Sequence, residues 1–263
     1  MQIWTRDVAS TIYSYCPNQE IAMKHICIYG KWKNLKRILF LRANILHKND
    51  ASRFYRMACN YGHATIVFLL WKHNIVMSLD SDNYLSHACH CGRLRFVQLV
   101  VEKGILQLDA SCFYAACTNN HLKLAHYIWS VCNETLHDRI YVQIFLEICS
   151  KGYWKIAHFL LTIKKQDPTF FLACKNSSAF CYACENGHLA IVRILYQWNL
   201  IHWNNHLSIC GFENACYRGH LDVVRFLWSL HVFSTKNIDR NFLLSNKRTN
   251  IVQFFDALNA FSN

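Results

Sequence analysis

The sequence lacks the features that mark linkers and membrane spans. It contains only two prolines in 263 residues, Pro17 and Pro168, and no stretch rich in Pro, Gly or Ser separates one part from another. A charge-free apolar stretch such as 57–71 is too short to cross a bilayer. We therefore expect no membrane insertion, and composition marks no domain boundary.

A secretory signal is also missing. Residues 1–7 contain no basic segment followed by an apolar core, which is what a signal peptide requires. We therefore expect the protein to stay in the cytosol. In that compartment the fourteen cysteines are expected to be free thiols or metal ligands rather than disulfides.

Catalytic motifs are absent as well. The sequence has no phosphate-binding loop and no nucleophile motif. His90 and Cys91, next to Cys89, form the densest group of potential metal ligands, but adjacent helical residues point to different faces and the Cys-x2-Cys spacing is missing. We expect no enzyme, no cofactor and no metal. Stoichiometric zinc in the purified protein would favour the alternative of a metal-dependent or thiol enzyme.

What the sequence does contain is a repeated segment. Residues Ala183 to Leu195 recur as Ala215 to Leu227, and weaker copies lie along most of the chain. The steps between equivalent positions are 28 to 35 residues, a period typical of solenoid proteins. The equivalent turn positions are Gly30, Gly62, Gly92, Asn120, Gly152, Gly187, Gly219 and Lys247.

Each copy predicts a helix, a turn and a second helix. After the turn, apolar residues recur at helical spacing, and before it a large apolar residue stands three positions ahead of an Ala-Cys pair, as Phe180 does before Ala183. Glycine at the turn suits a positive φ. The apolar positions after the turn are represented by Ile66, Val67, Leu70 and Trp71, and by Ile191, Val192, Leu195 and Tyr196.

Cysteine and histidine recur in fixed registers of the repeat. Packed helices lie about 8 to 10 Å apart, whereas zinc thiolates lie about 2.3 Å from the metal, so stacked copies of the cysteine predict small buried residues. Repetition of the histidine predicts a structural role such as hydrogen bonding to a neighbouring loop. The cysteines are Cys27, Cys59, Cys89, Cys117, Cys149, Cys184 and Cys216, and the histidines are His63, His121, His188 and His220.

The repeat resembles the second half of the ankyrin repeat, Ala-Ala-x-x-Gly-His-x-x-Ile-Val-x-x-Leu-Leu, with cysteine in place of the second alanine. The Thr-Pro-Leu-His opening is absent, so we expect irregular loops rather than β-hairpin fingers. The predicted fold is an all-α, ankyrin-like helical solenoid of about eight degenerate repeats. It forms one elongated domain over 1–263, with a cap at 1–22, repeats at 23–242 and a degraded capping repeat at 243–263.

Cysteine-bearing degenerate repeats of this kind, in a basic and aromatic-rich chain, resemble the multigene-family proteins of African swine fever virus, in particular the shorter members. The resemblance implies a non-enzymatic protein of the host cell cytoplasm that binds host proteins of innate immune signalling. It further implies roles in cell tropism, replication in macrophages and suppression of interferon or inflammatory signalling.

Charge singles out one part of the chain. The formal net charge is +12, and residues 1–72 hold eleven Lys or Arg against three acidic residues, a net charge of +8. This favours either the solvated face of a capping repeat or a contact for an acidic partner. A basic nucleic-acid-associated factor is the alternative function, although no nucleic-acid motif accompanies the charge. The candidate interaction residues are Lys31, Lys33, Lys36 and Arg37, with loops 80–84 and 203–206 as further candidates.

Overall fold

A computed structural model describes residues 19–41, 48–72, 84–132, 138–175, 178–203, 205–236 and 238–258. Within these ranges the regular elements are all α-helices, and none of the residues is in a β-strand. Contacts divide the chain into two compact units, Met1–Leu136 and His137–Asn263. The assignment of residues 1–263 to a single domain, with its cap and repeat boundaries, stays a prediction.

The described residues of the first unit form four helix pairs, each joined by a tight turn. In each pair a first helix ends at the turn and a second helix begins about two residues later. The pairs are α1 (Gln19–Tyr29) with α2 (Trp32–Leu41), α3 (Lys48–Tyr61) with α4 (Ala64–Lys72), α5 (Tyr84–His90) with α6 (Leu94–Glu102), and α7 (Ala110–Thr118) with α8 (Leu122–Cys132).

The described residues of the second unit form four further pairs and one additional helix. With the first unit this gives eight helix pairs among the described residues, as the repeat count predicts. The elements are α9 (Asp138–Lys151) with α10 (Trp154–Ile163), the additional α11 (Pro168–Lys175), α12 (Ala179–Glu185) with α13 (Leu189–Gln197), α14 (His206–Arg218) with α15 (Leu221–Trp228), and α16 (Arg240–Ser245) with α17 (Thr249–Ala257).

The turn between the two helices of a pair has the same conformation throughout. All eight turn residues have positive φ, between 59° and 85°, which confirms the prediction for Gly187 (73°) and Gly219 (85°). The amide of the next residue donates back to the carbonyl of the residue four positions before the turn, as His220 does to Ala215 at 2.9 Å. This hydrogen bond satisfies a carbonyl at the end of the first helix and fixes where that helix stops.

Lys247 occupies the turn position at φ 59°, a left-handed conformation that is costly for a residue with a Cβ atom. We expect Lys247→Gly to raise the free energy of unfolding by about 1 kcal/mol, because relief of this cost exceeds the added entropy of the unfolded chain. Urea denaturation would measure the change. Lys247→Ala is the matched control, since it removes the exposed amine but keeps the Cβ atom, and it should leave stability nearly unchanged. Equal stability of the Gly and Ala variants would contradict the expectation.

The buried core follows the registers of the repeat. All seven repeat-register cysteines are fully buried, which confirms that prediction. The large residues that precede the Ala-Cys pairs are buried too, namely Tyr55, Leu85, Phe113, Phe180 and Phe212. One part of the predicted face is wrong: Trp71 and Tyr196 are 41% and 46% exposed. Nine residues after the turn, the helix has rotated beyond the direction of the core, so only the three preceding apolar positions are buried.

Small residues allow first helices to pack closely on one another. Within the first unit α1 packs on α3, α3 on α5 and α5 on α7, and within the second α9 packs on α12 and α12 on α14. At the α12 and α14 contact, a Cβ atom added to Gly211 would lie 3.2 Å from the Cα atom of Cys181. The first helices therefore form the continuous part of the core in each unit.

Helix α11 explains the longest step of the repeat, the 35 residues from Gly152 to Gly187. Asp167 caps it, accepting hydrogen bonds from the amides of Thr169 (3.1 Å) and Phe170 (3.0 Å). The hydrogen bonds from the Thr169 side chain and the Phe170 amide hold the pKa of the Asp167 carboxyl below its usual value. Phe170 is buried and its ring meets that of Phe145 edge-on at 5.9 Å, so α11 docks on α9. The repeat pattern did not predict this helix.

The described loops of the second unit are irregular, as expected, and aromatic side chains anchor them. The ring of Phe233 stacks on that of Phe212 with centroids 4.7 Å apart. Trp203 meets Phe233 at 5.8 Å and Phe180 at 6.2 Å, both edge-on. Aromatic packing thus holds these loop segments in place. None of their described residues is in a β-strand.

Candidate functional site

At six of the eight turns, the residue that follows the turn reaches back to the preceding helix pair. The His121 Nε2 atom donates to the carbonyl of His90 at 2.8 Å, and His220 Nε2 donates to that of Glu185 at 2.9 Å. The predicted structural role of the repeated histidines is thereby confirmed. The remaining contacts of this inter-repeat ladder are His63 to Ile28 (2.9 Å), Arg93 to Asn60 (3.2 Å), His188 to Ser150 (2.9 Å) and Arg248 to Tyr217 (3.0 Å).

The same side chains lie directly over the turn glycines of the preceding pair. A Cβ atom added to Gly92 would be 2.5 Å from the imidazole of His121. Glycine is therefore required at that turn by the contact above it as well as by its positive φ of 68°. The two turn positions that are not glycine, Asn120 and Lys247, are those over which no recognised next repeat places a His or Arg. The repeat after Asn120 has Tyr153 in the ladder register, and Lys247 belongs to the last recognised repeat. Arg93 and Arg248 replace histidine in the ladder, a substitution that the repeat pattern did not predict.

The ladder side chains and the buried cysteines hold the helices together. Cys89 is buried while Cys91 is exposed, so these neighbours point in different directions. Among the residues that the structure describes, no three or more His, Cys, Asp or Glu side chains are grouped to hold a metal ion. His90 uses its carbonyl oxygen to accept the hydrogen bond from His121.

A thiol and an imidazole approach each other at Cys210 and His206, one turn apart on α14. The Cys210 Sγ atom is 3.4 Å from Nδ1 and 3.5 Å from Nε2 of His206. Because the two distances are nearly equal, the sulfur does not lie along the N–H direction of either nitrogen. That arrangement differs from the directed hydrogen bond of a thiol and its general base.

Thiol reactivity should separate the cysteines by burial. Burial raises the pKa of Cys27 to about 12 and that of Cys132 to about 11, so at pH 8 these thiols stay protonated and unreactive. We expect a thiol-specific reagent at pH 8 to modify Cys91, which is exposed, and Cys210, which is half-buried, well before the eleven cysteines that are buried among the described residues. Mass spectrometry of the labelled native protein would identify the sites.

The denatured protein provides the reference for this experiment. Under denaturing, non-reducing conditions all fourteen cysteines should react, and elemental analysis should find no stoichiometric zinc. Rapid labelling of Cys184 or Cys216 in the native protein would contradict the burial of the repeat cysteines. One tightly held equivalent of metal would contradict the expectation of free thiols.

The basic candidate residues lie at the start of the second helix of the first pair. Lys31, Lys33 and Lys36 are exposed, and Arg37 lies on α2 with its side chain outside the described residues. The Lys33 ammonium lies over the ring of Trp32, 5.6 Å from its centroid, and Trp32 is itself 40% exposed. This end of α2 therefore presents cations and an aromatic ring together.

The two candidate loops differ in how far the structure describes them. Residues 80–83 lie outside the described residues. In the segment 203–206, Trp203 packs on Phe180 and Phe233 while His206 is exposed. The tryptophan of this loop is therefore engaged in holding the fold.

Stacked helix pairs, left-handed turns and a ladder of side chains bonded to the preceding pair define an all-α, ankyrin-like repeat solenoid. A protein of Acanthamoeba polyphaga mimivirus that is named as an ankyrin repeat protein is 25% identical to this chain over 224 residues. The match covers 76% of this chain and 35% of the mimivirus protein, so the chain spans about a third of that relative's length. No protein-family profile matches the sequence.

Among the helices of the described ranges, none is both long and apolar enough to cross a bilayer.

Proposed function

We propose that this chain is a non-enzymatic, protein-binding module of a viral protein. The observation that carries the proposal is the ankyrin-like stack, in which the recurring histidines and cysteines that could suggest chemistry are used in packing. Repeat stacks present side chains from consecutive repeats on one surface, which suits recognition of other proteins. Similarity to a mimivirus ankyrin repeat protein supports a viral origin of the module.

In its finer form, the proposal places the chain with the multigene-family proteins of African swine fever virus. Its partners would then be host proteins of innate immune signalling, in the host cell cytoplasm. Binding them would suppress interferon or inflammatory signalling and so favour replication in macrophages and set cell tropism. The cysteine-bearing degenerate repeats and the basic first pair support this form of the proposal.

The test is expression of the tagged chain in macrophages, with recovery of bound host proteins and an interferon-dependent reporter. We expect specific recovery of host proteins and suppression of the reporter. A variant with Lys31, Lys33 and Lys36 changed to Ser, all exposed and thus compatible with folding, tests whether this end of α2 contributes. Absence of both host binding and suppression by the intact chain would overturn the proposed function.

A further inference from the structure

We infer that the second helices of the first unit form a docking surface for an acidic protein segment that also carries apolar side chains. The inference rests on the proposed protein-binding function and gives it a location and a partner chemistry. The surface, here called the second-helix stripe, consists of outward-facing positions three, six, seven and ten residues after the turn. Its principal members are Lys33, Lys36, Phe68, Arg95, Leu99 and Lys123.

The fold brings these residues onto one side of the unit. Positions three, six, seven and ten lie on the same face of a helix. Helix α2 packs beside α4, and α4 beside α6, so the same face recurs from one pair to the next. Lys123 holds the corresponding register on α8. Residues that are far apart in sequence thereby follow one another across the surface of the unit.

The charge of the stripe favours an acidic partner. Helices α2, α4, α6 and α8 together contain six Lys or Arg residues and a single acidic residue, Glu102. Lys33, Lys36, Arg95 and Lys123 are exposed, and in the described part of the chain none of them forms an ion pair. Such a concentration of one sign of charge attracts and orients a segment of the opposite sign.

Apolar side chains lie among the cations. Phe68 is 39% exposed and Leu99 47% exposed, and both belong to the stripe. Trp71, beside it on α4, contacts the ring of Phe68 at a centroid distance of 6.0 Å. Exposed aromatic and aliphatic residues between charges are typical anchors of protein interfaces. A partner with apolar side chains between its carboxylates would cover them.

The arrangement of the rings favours protein over nucleic acid. Single-stranded nucleic acids stack successive bases on open aromatic faces. The rings of Phe68 and Trp71 are tilted by 38° and contact each other, and the Lys33 ammonium lies over the Trp32 ring. These faces are therefore not arranged as consecutive stacking platforms.

The second helices of the second unit provide an internal contrast. Their arginines already lie over aromatic rings: Arg193 over Phe226 at 5.4 Å and Arg225 over Phe254 at 5.7 Å. These helices also carry two acidic residues, Asp222 and Asp256, against three Lys or Arg. The excess of exposed positive charge on second helices is thus a property of the first unit.

The experiment uses the full chain and three labelled probes of equal length. One peptide alternates Glu with Leu and Phe, one alternates Glu with Ser, and the third probe is oligothymidylate. Fluorescence anisotropy would measure binding. We expect the chain to bind the Glu, Leu and Phe peptide more tightly than the other two probes. Changing Lys33, Arg95 and Lys123 together to Glu should weaken this binding by about tenfold or more.

A matched charge control lies in the second unit. Lys155, Lys165 and Lys236 are exposed there, and changing all three to Glu alters the net charge by the same amount. This control should weaken peptide binding by about threefold or less, because distant charges are screened by salt. Circular dichroism would confirm folding, and a milder set with Gln at Lys33, Arg95 and Lys123 should weaken binding in the same direction.

A second variant tests the apolar anchors without changing charge. Replacing Phe68 and Leu99 with Ser should remove the preference for the apolar acidic peptide over the Glu and Ser peptide. The inference is overturned if the Glu variants of the first and second units lose binding equally. It is also overturned if the variant with Ser at Phe68 and Leu99 keeps the preference, or if oligothymidylate binds most tightly. If the variant with Glu at Lys33, Arg95 and Lys123 still recovers host proteins, the contact lies elsewhere and the inference fails, while the proposed binding module stands. Failure of the intact chain to recover any would instead remove the proposed function.

Discussion

Gly92→Ala is expected to lower the free energy of unfolding by about 3 kcal/mol, from the cost of a left-handed alanine together with the loss of a hydrogen bond between helix pairs. The added Cβ atom would lie 2.5 Å from the His121 imidazole, which must move and lose its 2.8 Å hydrogen bond to the His90 carbonyl. Gly104 is the matched control because it has nearly the same φ, 65°, with no atom within 4 Å of an added Cβ. Gly104→Ala should cost only about 1 to 2 kcal/mol.

A double-mutant cycle isolates the contact between the glycine and the imidazole. His121→Ala removes the ring, so adding Gly92→Ala to that variant should cost no more than Gly104→Ala does in the unchanged protein. Urea denaturation would give all four free energies. Equal costs for Gly92→Ala and Gly104→Ala in the unchanged protein would show that the ladder does not constrain the turn.

Cys184→Leu is expected to destabilise the protein by about 1 to 3 kcal/mol, because a larger side chain must be forced into a filled helix interface. The Cys184 side chain is fully buried at the register where neighbouring pairs pack. Cys184→Ala should cost less, since it removes one atom and introduces no clash. Cys91→Leu is the exposed control and should change stability by about 0.5 kcal/mol or less. If Cys184→Leu melts at the same temperature as the unchanged protein, the register of the repeats has been misassigned.

The sequence predicted the repeat unit well because its determinants are local. A left-handed turn residue, a small pair four positions before it and apolar residues at helical spacing after it all lie within about five turns of helix. The positive φ of Gly187 and Gly219 and the burial of Cys184 follow from these signals. Tyr196 was wrongly placed in the core because it is apolar and close to the spacing of the buried face, yet it lies just beyond that face.

The second-helix stripe that we propose could be predicted only in part from the sequence. Charge counted along the chain singled out Lys33 and Lys36, which are exposed on α2. It did not single out Arg95 and Lys123, whose positions matter only when corresponding helices are set side by side. The signal for these residues is the third position after each turn, compared between repeats that are aligned on their turn residues.

Sequence by itself determined the helix pairs, their turns and the small buried residues between them, because each depends on neighbours a few positions away. Tertiary structure alone decided which atoms meet between pairs. The ladder joins side chains to carbonyls 31 to 38 residues distant, with Arg93 able to replace histidine because it too carries a donor of sufficient reach. Stacking of one helix pair on the next brings these groups together, and it also leaves no room for a side chain at Gly92.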